Sequence, residues 1–199
     1  MRAPTFLILA WTLGSPALVA AQAPPAGFAG AIDAEISSQE KLFVDMAEAM
    51  PPEKFDFGPE KLNVAGSEFK GTRTFGQQVR HVAADNFAIW APVLGEPEPP
   101  GLNAPNGPAE MTSRAEILKF LRDSYTFAHR AAAKLTSENA LGLVEFRGRK
   151  VTRVSLVVLA LTHVSDHYGQ MAEYLRMCGV VPPASRPRSM PMPAKSGGG

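Results

Sequence analysis

The chain of 199 residues contains one cysteine, Cys178. No internal disulfide can form, so packing and not covalent stapling must hold the fold. Cys178 is read as a small core residue near a helix end. An excess of charge of one sign is also missing: 20 basic side chains face 19 acidic ones. Nucleic acids and anionic membranes select basic surfaces, so neither is the expected partner. There is no Gly-x-Gly-x-x-Gly, no phosphate loop and no Gly-x-Ser-x-Gly turn. The sequence therefore offers no ground for dinucleotide binding, nucleotide hydrolysis or serine-hydrolase chemistry. An alternating strand pattern is absent too, which points away from sheet architectures.

What is present begins with an address. Arg2 precedes the apolar run Phe6–Leu13, and Val19 and Ala21 are the small residues of a cleavage site after Ala21. This is the pattern of a secretory signal peptide, too short to span a bilayer. It predicts an exported protein, periplasmic or secreted, that loses residues 1–21 and keeps no integral membrane span. The 178 residues that remain of the 199 are enough for one domain with its own core. Residues 22–30 read as a flexible lead-in, 31–183 as the domain, and the Pro- and Gly-rich stretch 184–199 as a disordered tail.

Within the domain the apolar period is helical. Ile32, Ile36, Leu42, Phe43, Met46 and Ala47 follow one another mostly in steps of three and four, until Pro51-Pro52 ends the run. Phe55, Phe57 and Phe69 in the next connection are expected to tuck back onto the core. Thr74-Phe-Gly-Gln77 is a capping box, and Phe75, Val79, Val82, Asn86 and Ile89 form the stripe of a second helix ending near Trp90, before Pro92. Residues 95–108 hold five prolines and three glycines and form a loop. Ser113-Arg-Ala-Glu116 is a second capping box, and Ile117, Leu121, Tyr125, Ala128 and Leu135 mark a third helix. Residues 136–150 read as a polar connection. The fourth helix begins near Thr152 and is apolar almost all round from Val154 to Leu161, so deep burial is expected there. Gly179 supplies its left-handed cap. These features predict an all-α, up-and-down-type four-helix bundle.

The residues that can carry chemistry are histidines. His163 and His167 are four apart on the fourth helix, so they lie about 40° apart around its axis, with Cβ atoms roughly 5–6 Å apart. His81 on the second helix is the natural third donor. Three neutral imidazoles with an open fourth position suit a divalent metal, Zn²⁺ first and Ni²⁺ as the alternative. His129 is read as a core-edge or surface residue; were it the third ligand, the site would join helices three and four. Val164 stands where metalloproteases of the His-Glu-x-x-His type have their glutamate, so that mechanism lacks its base. Asp85 and Asp166 either orient an imidazole or face water. Gln170 and Tyr174 continue the histidine face and are read as pocket lining. Arg176 either binds an anion or neutralises the helix C-terminus.

Thr74-Phe-Gly-Gln-Gln-Val-Arg-His81 and His163-Val-Ser-Asp-His167 through Gly179 to Pro183 together resemble the DinB-like family of four-helix bundles, across roughly Ala31 to Pro183. The resemblance implies that His81, His163 and His167 bind a divalent metal and that His129 is not a ligand. Relatives include transferases and isomerases that use the metal to activate a small thiol. An export signal sits poorly with that chemistry, because a reduced thiol pool is not expected outside the cytoplasm. Two functions follow as expectations. One is a metal-dependent hydrolase or group transferase acting on an unknown small molecule. The other is a non-catalytic, stress-related binding module or a homodimeric bundle, with the metal structural or absent.

Overall fold

The stripe Ile36, Phe43, Met46 and Ala47 is buried along helix α1, Gly27–Ala49, as its spacing requires. The structure, a computed structural model, describes residues 27–103 and 105–187. The expected signal peptide and most of the lead-in and tail lie outside them. Two parts of those expectations fall inside and change. Residues 27–30, placed in the lead-in, form the first turn of α1. Residues 184 and 185, the first of the tail, belong with Pro183 to a 3₁₀ turn, where Ser185 accepts a hydrogen bond from Arg176.

Three further helices complete the bundle: α2 Phe75–Leu94, α3 Arg114–Ala132 and α4 Arg153–Met177. Their ends show why they form where they do. At Thr74 both halves of the capping box are made: the Gln77 amide donates to the Thr74 hydroxyl at 3.4 Å, and the Thr74 amide to Gln77 Oε1 at 2.9 Å. At Ser113 only the hydroxyl half forms among the described residues, from the Glu116 amide at 3.2 Å. α4 ends as a Schellman motif. Gly179 has φ 76°, the Val180 amide bonds Leu175 O at 2.8 Å and the Gly179 amide bonds Arg176 O at 2.9 Å.

Three expectations about helices and strands are revised. α2 does not stop before Pro92 but runs to Leu94. Proline there forfeits only the one bond its amide would have made, and the Gly95 amide restores closure by donating to Ala91 O at 2.9 Å. The polar connection contains a hairpin, β1 Leu143–Phe146 and β2 Arg149–Thr152, paired Val144 to Val151 and Phe146 to Arg149. Its two-residue turn puts Arg147 at φ 48° and Gly148 at φ 75°, the mirror-image turn that matches strand twist. The first half of α4 is not buried all round: Val158 is 56% and Leu159 38% exposed, because the neighbouring helices cover only the Leu156–Val157–Ala160 side.

α1 packs on α3 and α4, and α2 packs on α3 and α4, whereas α1 and α2 hardly touch. The two helices that come first in the chain therefore occupy opposite corners, joined by the long connection 50–74. That connection returns to the core through Phe55, whose ring meets Phe75 edge-on at 5.7 Å, and Phe57, which meets Tyr174 at 6.0 Å. Phe69 remains half-buried and off the core. α2 is the most enclosed helix, buried at nearly every position from Gln78 to Ala91. Full burial of side chains such as Trp90 and Phe43 contributes about 1.5–3 kcal/mol each.

His129 ties α3 to α1 and lies away from the other histidines. Its Nδ1 is 2.6 Å from Asp33 Oδ1 and its Nε2 3.1 Å from Glu40 Oε2, so both nitrogens donate only in the protonated ring. Desolvation lowers the His129 pKa, but the hydrogen bonds and charges of Asp33 and Glu40 outweigh it and the net shift is upward. A raised folded-state pKa gives stability that is complete below about 6.5 and lost as pH rises through the folded value. His129→Gln is expected to lower the melting temperature by about 1–4 °C near pH 6 and by less above pH 8, with metal content unaltered. Melting curves of the two proteins at both pH values check this; an equal gap at both would defeat it.

Candidate metal centre

α2 and α4 pack side by side, which brings His81 within reach of the pair on α4. The ring centroids of His81 lie 5.0 Å from those of His163 and 4.6 Å from those of His167, and the pair itself is 4.5 Å apart. The Nε2 atoms converge. His81 Nε2 is 3.0 Å from His167 Nε2 and 3.2 Å from His163 Nε2. Three donors around a tetrahedral ion with bonds of 2.0–2.1 Å stand about 3.3 Å apart. The three histidines form one group whose ligand atoms all lie within 4.8 Å of one another.

The chemistry of the donors agrees with this spacing. His81 Nδ1 donates to the Pro105 carbonyl, which places the lone pair on Nε2, facing the other two rings. Nδ1 of His163 and of His167 is buried without a partner among the described residues, so the protein leaves those two tautomers free. All three rings are weak bases. Burial is the chief cause for each, and it pushes His163 and His167 down to about 4 with help from neighbouring positive charge. His81 is lowered by burial as well, against the opposing pull of its bond to Pro105. The rings are therefore neutral at pH 7. Lone pairs so close repel unless an N–H or a cation stands between them, and a divalent cation fits this donor set.

Asp85, one turn along α2 from His81, is 4% exposed. Its Oδ2 lies 3.3 Å from His163 Nε2, and its Oδ1 accepts from Arg147 Nη2 at 2.9 Å. Of the two readings open for Asp85, facing water is excluded by its burial, while its contact is to Nε2 of His163 and not to the Nδ1 that an orienting hydrogen bond would use. Asp166 is exposed and holds Gln170 Nε2 at 2.9 Å. Gln170 in turn accepts from Gln78 at 3.0 Å. Arg176 approaches Glu173 at 3.8 Å and does not face the histidines.

Arg147 and Pro105 are the participants that sequence reasoning missed. Arg147 sits at the hairpin tip in a left-handed conformation that costs a non-glycine residue energy, and its guanidinium stacks on Phe146 at 5.0 Å. A signal for it was present: Arg147-Gly148 between two β-prone runs is a short-hairpin turn. Nothing local announces Pro105 as the acceptor for His81. Its loop is anchored by Arg80, whose guanidinium donates to the carbonyls of Asn106, Ala109 and Met111. Gly107 allows that approach, since a Cβ there would lie 2.7 Å from Arg80 Cγ.

One helical turn from the histidines along α2 and α4 is an open cleft of about 680 Å³, lined in part by Arg73, Gln77, Gln78, Asn106, Gln170 and Tyr174. No helix among the described residues is long and apolar enough to cross a membrane.

Residues 35–171 match the DinB superfamily. The fold is similar to the crystal structure of a DinB-like protein from Bacillus cereus, with 16% identity and a TM-score of 0.59 over 77% of this chain and 94% of that one. A DinB-like protein from Bacillus subtilis is similar at 17% identity and a TM-score of 0.54, over 74% of this chain and 92% of that one. No curated protein matches.

Proposed function

We propose, from the premise that this chain belongs to the DinB superfamily, that it is a metal-dependent hydrolase or group transferase acting on a small molecule, with His81, His163 and His167 as the ligands of a divalent ion, Zn²⁺ first. The observation that carries this reading is the convergence of three Nε2 atoms on one point, 3.0 and 3.2 Å apart along the two edges that His81 makes. A structural zinc site is closed by a fourth protein ligand. Among the described residues the group comprises the three histidines; Asp85 Oδ2, 3.3 Å from His163 Nε2, stands outside it, which favours a working site over a structural one.

An ion held there supplies Lewis acidity and lowers the pKa of a bound water to near 7. The protein's own contribution is positional and electrostatic. The Pro105 carbonyl holds the His81 tautomer. Asp85 places a buried negative charge beside His163, and Arg147 limits that charge by pairing with its other oxygen. The adjoining cleft gives a small molecule room to approach.

The test is metal content followed by turnover. Purified protein is expected to retain about one equivalent of zinc and to hydrolyse or transfer a group within an ester, amide and thiol-transfer panel, with chelation abolishing turnover. Retained zinc with no turnover across the panel would favour the non-catalytic binding module. Absence of any bound divalent metal after loading would remove the reading.

A further inference from the structure

The cleft beside the histidines is lined by two arginines and by no carboxylate. The two arginines are not equivalent. Arg80 is committed to three loop carbonyls. Arg73 binds only the side-chain oxygen of Asn106, through Nε at 3.1 Å and Nη2 at 2.9 Å, and it makes no ion pair among the described residues. It is half-buried, and its backbone carbonyl accepts from the Tyr174 hydroxyl at 3.2 Å, which fixes the stem at the cleft wall. A half-buried guanidinium with donors to spare and no counter-charge is a receptor for a planar or tetrahedral oxyanion.

A second observation points to a ligand at the same place. Gln78, 4% exposed, lines the cleft, and its Oε1 is buried with no hydrogen-bond partner among the described residues. Buried acceptors left unpaired are uncommon and costly. Its amide nitrogen is committed to Gln170, so the oxygen is left as an unpaired acceptor at the cleft wall. The cleft thus asks for negative charge at Arg73 and a donor hydrogen at Gln78. It also adjoins the metal centre: Gln78 and Gln170, which line it, sit one helical turn from His81 and His167.

We infer that Arg73 and Gln78 form an oxyanion subsite, and that the molecule acted on is a small carboxylate or phosphate carrying a hydrogen-bond donor, anchored at Arg73 with its reactive part toward the histidines. The assignment of this subsite to substrate rests on the metal-centre reading; the binding of the anion itself does not.

The test uses the full chain, metal-free and zinc-loaded, titrated calorimetrically with butyrate and, on the metal-free protein, with inorganic phosphate, while zinc is measured on the same samples. The metal-free wild type is expected to bind at least one of the two probes, and which one distinguishes a carboxylate from a phosphate site. Arg73→Met is expected to weaken that binding at least about tenfold, with Arg73→Lys falling between, since it keeps the charge but loses the fork. Gln78→Leu is expected to weaken phosphate, which carries a donor, more than butyrate. Zinc content should be unchanged in Arg73→Met. No binding of either probe to the metal-free wild type, or equal binding in Arg73→Met, overturns the subsite. Binding confined to the zinc-loaded protein and insensitive to Arg73 also overturns it, because the anion then sits on the ion alone. Loss of zinc from the wild type counts against the metal reading and leaves the metal-free titration decisive for the subsite.

Discussion

Zinc content is expected to fall from about one equivalent to near zero when His81, His163 or His167 is replaced by alanine. Each ring supplies one of three donors that meet within 4.8 Å, and two imidazoles do not hold a divalent ion against dialysis. The loss should occur without collapse of the bundle. His163 lies at the partly open edge of the site, and the packing of α4 rests on Leu156, Val157, Ala160, Val164, Met171 and Leu175. Elemental analysis alongside circular dichroism separates the two effects; full stoichiometry in any one of the three variants would remove that residue from the ligand set.

The same rings set the pH behaviour. A protonated imidazole cannot ligate, but protons compete weakly here, since burial pushes His163 and His167 down to about 4. Zinc should therefore persist below the ordinary histidine value of about 6.5 and leave as pH approaches 4. The metal-free protein carries the matching stability term. Its folded-state histidine pKa values lie below those of the unfolded chain, so between about 6.5 and 4 the unfolded chain binds more protons. The stability these groups provide is present above that window and is lost as pH falls through it. The melting temperature of metal-free protein should decline less steeply across the window in His163→Ala than in the wild type. Zinc released in full at pH 6.5 would contradict this account.

The second large effect is expected at Asp85. Asp85→Asn keeps the size of the side chain and removes a buried negative charge beside His163 Nε2. A buried carboxylate this close to the donor atom of His163 attracts a divalent ion by its charge, so its loss is expected to weaken zinc about tenfold in a competition titration against a chromophoric chelator. Arg147→Gln supplies the control. It removes positive charge that also lowers the basicity of His81 and His163, so zinc affinity should stay level or rise. If both variants weaken zinc equally, the Asp85–Arg147 pair serves to hold the hairpin and does not tune the ion.

Much of this protein is local and was legible in one dimension. The i, i+4 spacing of His163 and His167 puts both rings on one face of any helix. The Thr74 box, the Thr152 N-cap and the Gly179 turn mark helix ends through hydrogen bonds spanning a few residues. The composition of the chain had already removed disulfides and a basic surface from consideration. The hairpin was missed because four-residue strands leave little periodic trace, although Arg147-Gly148 marked the turn. The burial of early α4 was overestimated because Val154 to Leu161 is apolar on all sides, and composition does not say which side a neighbour covers.

The sequence by itself determined the helices, their ends and the paired histidines on α4, because each depends on a backbone period or on bonds between near neighbours. Only the tertiary structure decided that α1 and α2 sit at opposite corners, that α2 presents His81 to α4, that Asp85 turns inward to Arg147, and that Arg73 faces a cleft without a counter-charge. Those outcomes depend on which surfaces exclude water together and on contacts between residues 60 to 90 positions apart, such as Asp85 with Arg147 and His81 with His167. Distances of that kind carry no periodic signal along the chain.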